Sequence, residues 1–241
     1  MNATLMNATP MNDDGAVLGR DMTRLDRIVY ATTRRVILVL GTVLFRVEVV
    51  GKEHLPASGP CIVAPVHRSN LDTPVLAFVT KRRLRFMGKD SLWNSKLAWY
   101  LTALGGFPVV RGTADREALR ACQAILDRDE PLVMFPEGTR RSGERLSELF
   151  DGPAFLAART GASIVPIGIG GSEGVMPKGS KFLRPKKVTI VVGPPIHPPA
   201  PEGRVPRRAV RELTDELAVA LQKVFDDALD LAAPRRRSGG R

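Results

Sequence analysis

The residues whose types and spacing suit chemistry best are His67 and Asp72, in Pro65-Val66-His67-Arg68-Ser69-Asn70-Leu71-Asp72. The apolar run Cys61-Ile62-Val63-Ala64 leads into them and reads as a short buried strand. Ser69 and Asn70 are good helix N-cap types, and Thr73–Phe78 reads as the helix that follows. His67 is therefore expected where a strand hands over to a helix, with Asp72 about one turn further on. A carboxylate so placed can fold back onto one imidazole nitrogen. It fixes the tautomer and leaves the other nitrogen to take a proton. A helix-capping segment with a solvated histidine has the same letters, so the pair needs company before it carries a chemical reading.

Three other stretches supply company. Phe135-Pro136-Glu137-Gly138-Thr139-Arg140 follows the apolar strand Leu132–Phe135 without a break. Pro136 stops the ladder, Gly138 allows a tight turn, and Glu137 and Arg140 are expected side by side on it. Such a turn suits a ligand with hydroxyls and a phosphate, while a structural Glu–Arg pair is the plain alternative. Phe107-Pro108-Val109-Val110-Arg111 reads as a strand ending on a cation. Arg85-Phe86-Met87 reads as another, closing on Gly88-Lys89-Asp90, where Lys89 is either a phosphate ligand or a solvated lysine.

The elements that must position these residues alternate between strand and helix, which indicates one α/β domain with a mostly parallel central sheet flanked by helices. Residues 1–22, with the near-repeat Met1-Asn2-Ala3-Thr4 and Met6-Asn7-Ala8-Thr9, read as a disordered leader with no secretory signal pattern. Residues 23–45 read as an N-terminal helix apposed to a membrane. Its apolar part Val36–Phe45 is bracketed by Arg34, Arg35 and Arg46. Ten helical residues cover about 15 Å, too short to cross a bilayer, so the helix either lies in the interface or packs on the core. Residues 46–205 form the α/β core. They include helices expected over Ser91–Leu104, with both tryptophans, and over Ala114–Asp129 and Pro153–Thr160. Strands are expected over Ser163–Ile169 and Lys187–Val192. Residues 206–233 hold a long helix with apolar Val210, Leu213, Leu217, Leu221 and Val224, and 234–241 a basic tail.

Lys and Arg number 36 against 25 Asp and Glu, a net charge of +11, so an anionic partner is expected. The basic residues are scattered and no stacking aromatics accompany them, so nucleic acid is not the expected partner and an anionic membrane surface is. The two cysteines, Cys61 and Cys122, make no metal spacing and read as packed thiols, so no metal or other cofactor is expected. Gly170-Gly171-Ser172-Glu173-Gly174 matches a hydrolase nucleophile turn. However, Pro177, Gly179 and Pro185 leave no room for the helix that should follow, and apart from Glu173, directly adjacent to Ser172, no acid lies between Ser172 and His197. His54 and His197 sit in proline-flanked loops and read as solvated.

His67–Asp72 resembles the first block of the glycerolipid acyltransferases, and Gly106-Phe107-Pro108-Val109-Val110-Arg111 resembles their second. Phe135–Arg140 is similar to their third block and Val165-Pro166-Ile167 to their fourth, in the same order across residues 46–200. The nearest relatives by this likeness are the bacterial 1-acylglycerol-3-phosphate, or lysophosphatidic acid, acyltransferases. Two departures are Val66, where many members carry Asn, and Arg141, which separates Arg140 from Ser142. The resemblance implies transfer of a fatty acyl group from acyl-CoA or acyl carrier protein to a lysophospholipid hydroxyl. His67 would be the base, oriented by Asp72. Arg111 and Arg140 would hold phosphate with Lys89 as a further candidate, and the Glu137-Gly138-Thr139 turn would meet the glycerol. It also implies a peripheral protein on the cytoplasmic face of the membrane. Glycerol 3-phosphate or another lysophospholipid as acceptor, or a non-catalytic basic surface protein, are the alternatives.

Overall fold

A computed structural model describes residues 22–109, 116–176, 182–199 and 205–233. Its elements in order are α1 (Arg24–Phe45), β1 (Glu48–Val50), β2 (Cys61–Pro65), α2 (Asp72–Val75), β3 (Arg85–Lys89), α3 (Ala98–Ala103) and β4 (Gly106–Val109). Then come α4 (Arg116–Leu126), β5 (Pro131–Val133), α5 (Gly152–Thr160), β6 (Ser163–Gly170), α6 (Ser172–Val175), β7 (Thr189–Val192) and α7 (Arg207–Ala232). The described strands form one sheet in the order β1-β7-β6-β2-β5-β3-β4. β6, β2, β5, β3 and β4 run parallel, and β7 turns back antiparallel to β6 with β1 beside it. The mostly parallel α/β sheet expected from the strand and helix alternation is therefore present. The leader through residue 21 and the basic tail from 234 lie outside the described residues.

The centre of the sheet follows from its composition. Every residue of β2 and β6 is buried, as expected of strands covered on both faces. Gly168 and Gly170 bring α7 onto β6. A Cβ at Gly168 would lie 2.0 Å from the Val224 carbonyl oxygen, and one at Gly170 2.1 Å from that of Ala228. Val210, Leu213, Leu217, Leu221 and Val224 of α7 are all buried there. Cys61 and Cys122 are buried thiols, and burial pushes the Cys61 thiol up against an opposing effect from Arg82.

α1 occupies the residues expected of it, but it is longer as an apolar helix than its Val36–Phe45 part suggested. Thr23 and Asp26 close a reciprocal cap at its start, the Asp26 N–H donating to Thr23 Oγ1 at 3.1 Å. The helix then runs unbroken through Gly41 and Thr42 for 22 residues, about 33 Å, and by length and composition it could cross a membrane. The ten-residue figure counted only its most apolar part, so the exclusion by length does not stand. One face is docked on the domain. The Arg34 guanidinium donates to the Ala77 and Thr80 carbonyls, each at 3.0 Å, and Thr33 Oγ1 lies 3.1 Å from the Tyr100 hydroxyl. The other face exposes Ile28, Val36, Val39 and Val43.

The helix expected over Ser91–Leu104 shrinks to α3. The Ser95 hydroxyl donates to the Leu92 carbonyl and accepts from the Leu97 N–H, local bonds that compete with the helix ladder. Trp93 is drawn down against Gly88 and Gly106, its Nε1 donating to Thr102 Oγ1 at 3.0 Å. Trp99 stays on the surface. His54 is not solvated either. It is half-buried, and its Nδ1 donates to the Val192 carbonyl at 2.8 Å.

Candidate active site

The five parallel strands end at one edge of the sheet, and the residues singled out above follow those ends. His67 comes just after β2, Glu137 and Arg140 after β5, and Lys89 is the last residue of β3, in register with Val109 of β4. Arg111 lies outside the described residues. Ligand sites in open α/β sheets favour this edge.

His67 Nδ1 lies 3.1 Å from Asp72 Oδ2, and the same oxygen accepts the Arg68 and Ser69 backbone N–H groups, each at 2.6 Å. Asp72 is fully buried. The expected cap by Ser69 or Asn70 is absent: α2 starts at Asp72, and Leu71 in the cap position makes no side-chain bond. The Ser69 hydroxyl instead donates to the Met176 carbonyl at 3.1 Å, while the Asp72 carboxylate gathers the N–H groups of the turn. With Nδ1 donating to the carboxylate, Nε2 carries the imidazole lone pair. The ring stacks on Phe135 with centroids 4.0 Å apart, and 17% of the side chain remains exposed. Such an imidazole is oriented, held in one tautomer and open to a hydroxyl on one side. It is built to accept a proton.

Glu137 and Arg140 part company. Glu137 is fully buried and pairs with Arg68, Nη1 to Oε2 at 2.6 Å, both side chains out of solvent. Its other oxygen accepts the Ser147 N–H at 3.0 Å. Glu137 was expected to face a ligand hydroxyl; here it is buried and each of its oxygens has a partner inside the protein. The Gly138 turn is as expected, with φ at 67° and the Phe150 ring so close that a Cβ would meet it at 2.6 Å. Gly138 and Thr139 are exposed on that turn and Arg140 half-exposed. No hydrogen bond or ion pair to the described residues engages the Arg140 guanidinium, so its charge is available at the edge. Lys89 is exposed at the same edge.

Arg68 is the residue that motif reading passed over. It is 2% exposed, and its guanidinium serves Glu137, the carbonyls of His67, Gly143 and Arg145, and the face of Phe225. A sequence signal exists: a Glu held between a buried strand and a tight turn needs a cation, and Arg68 stands beside the other motif of the edge. The two departures from the family pattern are absorbed by the backbone. Val66 is buried, with its N–H on the Ile167 carbonyl, and the Arg141 N–H donates to the His67 carbonyl at 2.9 Å.

The Gly-x-Ser-x-Gly segment does form a short helix, α6, contrary to expectation, but Ser172 is fully buried and presents no nucleophile to solvent.

Comparison with known proteins places this arrangement. A chloroplastic 1-acyl-sn-glycerol-3-phosphate acyltransferase of Arabidopsis thaliana is 30% identical over 158 residues, 64% of this chain and 44% of that protein. The chain thus spans less than half the length of that relative. A Bacillus subtilis 1-acyl-sn-glycerol-3-phosphate acyltransferase is 26% identical over 153 residues, 63% of this chain and 74% of its own. The crystal structure of the 1-acyl-sn-glycerophosphate acyltransferase PlsC from Thermotoga maritima superposes with a TM-score of 0.68 at 25% identity. The match covers 92% of this chain and 90% of that one. The acyltransferase family model matches residues 46–170, which span β1 to β6 and hold His67, Asp72, Glu137 and Arg140, and the chain belongs to that family.

Proposed function

We propose that this chain transfers a fatty acyl group from an acyl thioester, carried by coenzyme A or acyl carrier protein, to the free hydroxyl of 1-acylglycerol 3-phosphate. The product is phosphatidic acid, made for phospholipid synthesis. The observation that carries the reading is the 3.1 Å contact between His67 Nδ1 and the buried Asp72 carboxylate at an edge where Arg140 and Lys89 have no ion-pair partner among the described residues. The acceptor oxygen attacks the thioester carbonyl carbon while its proton passes to His67 Nε2. The C–S bond then breaks, and the departing sulfur takes that proton from the imidazolium. Asp72 stabilises the imidazolium between the two steps. Arg140, with Arg111 and Lys89, holds the acceptor phosphate through charge-assisted bonds.

Two further features support a lipid substrate. A cavity of about 280 Å³ opens between α1, α3 and the strands β3 and β4, floored by Ile37, Leu84, Phe86, Leu101 and Leu104. Thr73 and Pro74, next to Asp72, line it as well, so a hydrocarbon chain lying there begins beside the reacting centre. The exposed apolar row of α1 and the exposed Trp99 form a face suited to a membrane interface, with Arg27 and Arg35 at lipid phosphates. We place this face on the cytoplasmic leaflet, peripherally.

The test is a panel of lysophospholipids and glycerol 3-phosphate with acyl-CoA, products resolved by mass. Phosphatidic acid formed from 1-acylglycerol 3-phosphate is the expected result. No acylated product from any acceptor, or product from glycerol 3-phosphate alone, overturns the reading.

A further inference from the structure

We propose that Arg68 and Glu137 act together as a positioning pair, fixing the His67 backbone relative to the Gly138–Arg140 turn, and that Glu137 does not contact the acceptor. The inference rests on the reading of His67 as the base. Both peptide groups of His67 are held by this unit. Its N–H points at Glu137 Oε2 at 3.4 Å, and its carbonyl accepts from Arg68 Nη1 at 3.1 Å and from the Arg141 N–H at 2.9 Å. Arg68 Nε and Nη2 reach on to the Gly143 and Arg145 carbonyls at 2.9 and 3.1 Å, and the guanidinium lies 4.9 Å from the Phe225 ring centroid of α7. Glu137 takes the Ser147 N–H in turn. Two loops from separate strands, one carrying the His67 imidazole and one the Arg140 guanidinium, are thus bolted by a single ion pair that water does not reach.

The physics favours positioning over mere stabilisation. A buried ion pair adds little net stability compared with apolar residues of the same volume, yet removing one partner strands a charge in the interior. Such a pair fixes geometry through its directional bonds, here four from one guanidinium and three to one carboxylate. Glu137 Oε2 carries the pair and Oε1 takes the Ser147 N–H, so substrate contact would require this buried arrangement to open.

The test uses the full chain and three variants, Arg68→Met, Glu137→Gln and the double Arg68→Met/Glu137→Gln. The measurements are kcat, KM for 1-acylglycerol 3-phosphate, thermal melting, and the imidazole ¹⁵N shifts of His67 assigned by their loss in His67→Ala. Each single variant is expected to lower kcat by about 10²-fold, since a displacement near 1 Å costs that much, with KM little changed. The double variant melts close to wild type, having no stranded charge, but its kcat stays as low as that of the worse single. Wild type shows Nδ1–H as the dominant tautomer, and the variants show a mixture. Recovery of kcat with melting in the double would make the pair merely structural and overturn the proposal. So would a rise in KM at intact kcat in Glu137→Gln, or an unchanged tautomer in every variant. Where a single variant fails to fold, the double decides. The ¹⁵N readout needs no turnover, so a wild-type chain that moved no acyl group would sink the proposed function and leave this arm standing.

Discussion

The loops leaving β2 and β6 start from neighbouring parallel strands at the same edge of the sheet, and each carries a sequence that has chemical meaning elsewhere. After β2, His67 keeps one ring nitrogen on a buried carboxylate and leaves the other facing outward, 17% of the side chain being open. After β6, Gly171 turns in the left-handed region at φ 86° with its backbone close against the Lys187 carbonyl, and Ser172 is folded inward. Its Oγ is buried and makes no hydrogen bond to the described residues. The difference lies in where the turn aims the reactive atom and whether a fixed acceptor orients it. The Ser69–Met176 bond ties the two loops together, so the second loop supports the first without sharing its chemistry.

Replacing the oriented group should hurt most. His67→Ala is expected to lower kcat for acyl transfer by about 10²–10⁴-fold with the melting transition intact. Asp72→Asn follows at about 10²-fold, with acceptor KM little changed, since an amide can still take the Arg68 and Ser69 N–H groups but cannot stabilise an imidazolium. Steady-state assays on both variants check the order, and an Asp72 variant worse than His67→Ala would reverse the roles. Arg140→Ala should act on binding, raising the KM for the phosphorylated acceptor about tenfold or more, as loss of a charge-assisted bond does. An unchanged KM removes Arg140 from the phosphate. Val39→Asp with Val43→Asp on the open face of α1 should leave turnover of detergent-dispersed substrate alone while abolishing flotation with anionic vesicles. Full flotation of that variant rejects α1 as the contact. Ser172→Ala should change nothing in turnover, and a drop of tenfold or more would show that the comparison has been drawn the wrong way round.

Much of this was legible in the chain because the signals were local. Continuous apolar runs gave β2, β5 and β6, and the helical period from Val210 to Val224 gave α7. His67 and Asp72 meet because a strand end and a helix start set their separation. What the sequence hid was decided by partners distant in the chain. Glu137 finds Arg68 across 69 positions, a match that no neighbouring residue announces. Ser95 and Trp93 break a helix whose propensities look adequate, through side-chain bonds and through packing on Gly88 and Gly106. His54 looked solvated until β7 supplied a carbonyl for it. The extent of α1 was legible, but its capacity to span was misjudged by counting only Val36–Phe45. Gly41 lies under the Phe78 ring, where a side chain would clash, and the helix passes through it unbroken.

The central claim is that His67 moves a proton while the acyl group passes straight from sulfur to the acceptor oxygen. Intact mass of the protein after mixing with acyl-CoA alone tests it most directly. The account predicts an unmodified chain, with phosphatidic acid appearing only when 1-acylglycerol 3-phosphate is added. A chain heavier by one acyl group, formed in the absence of acceptor and discharged when acceptor arrives, would contradict it.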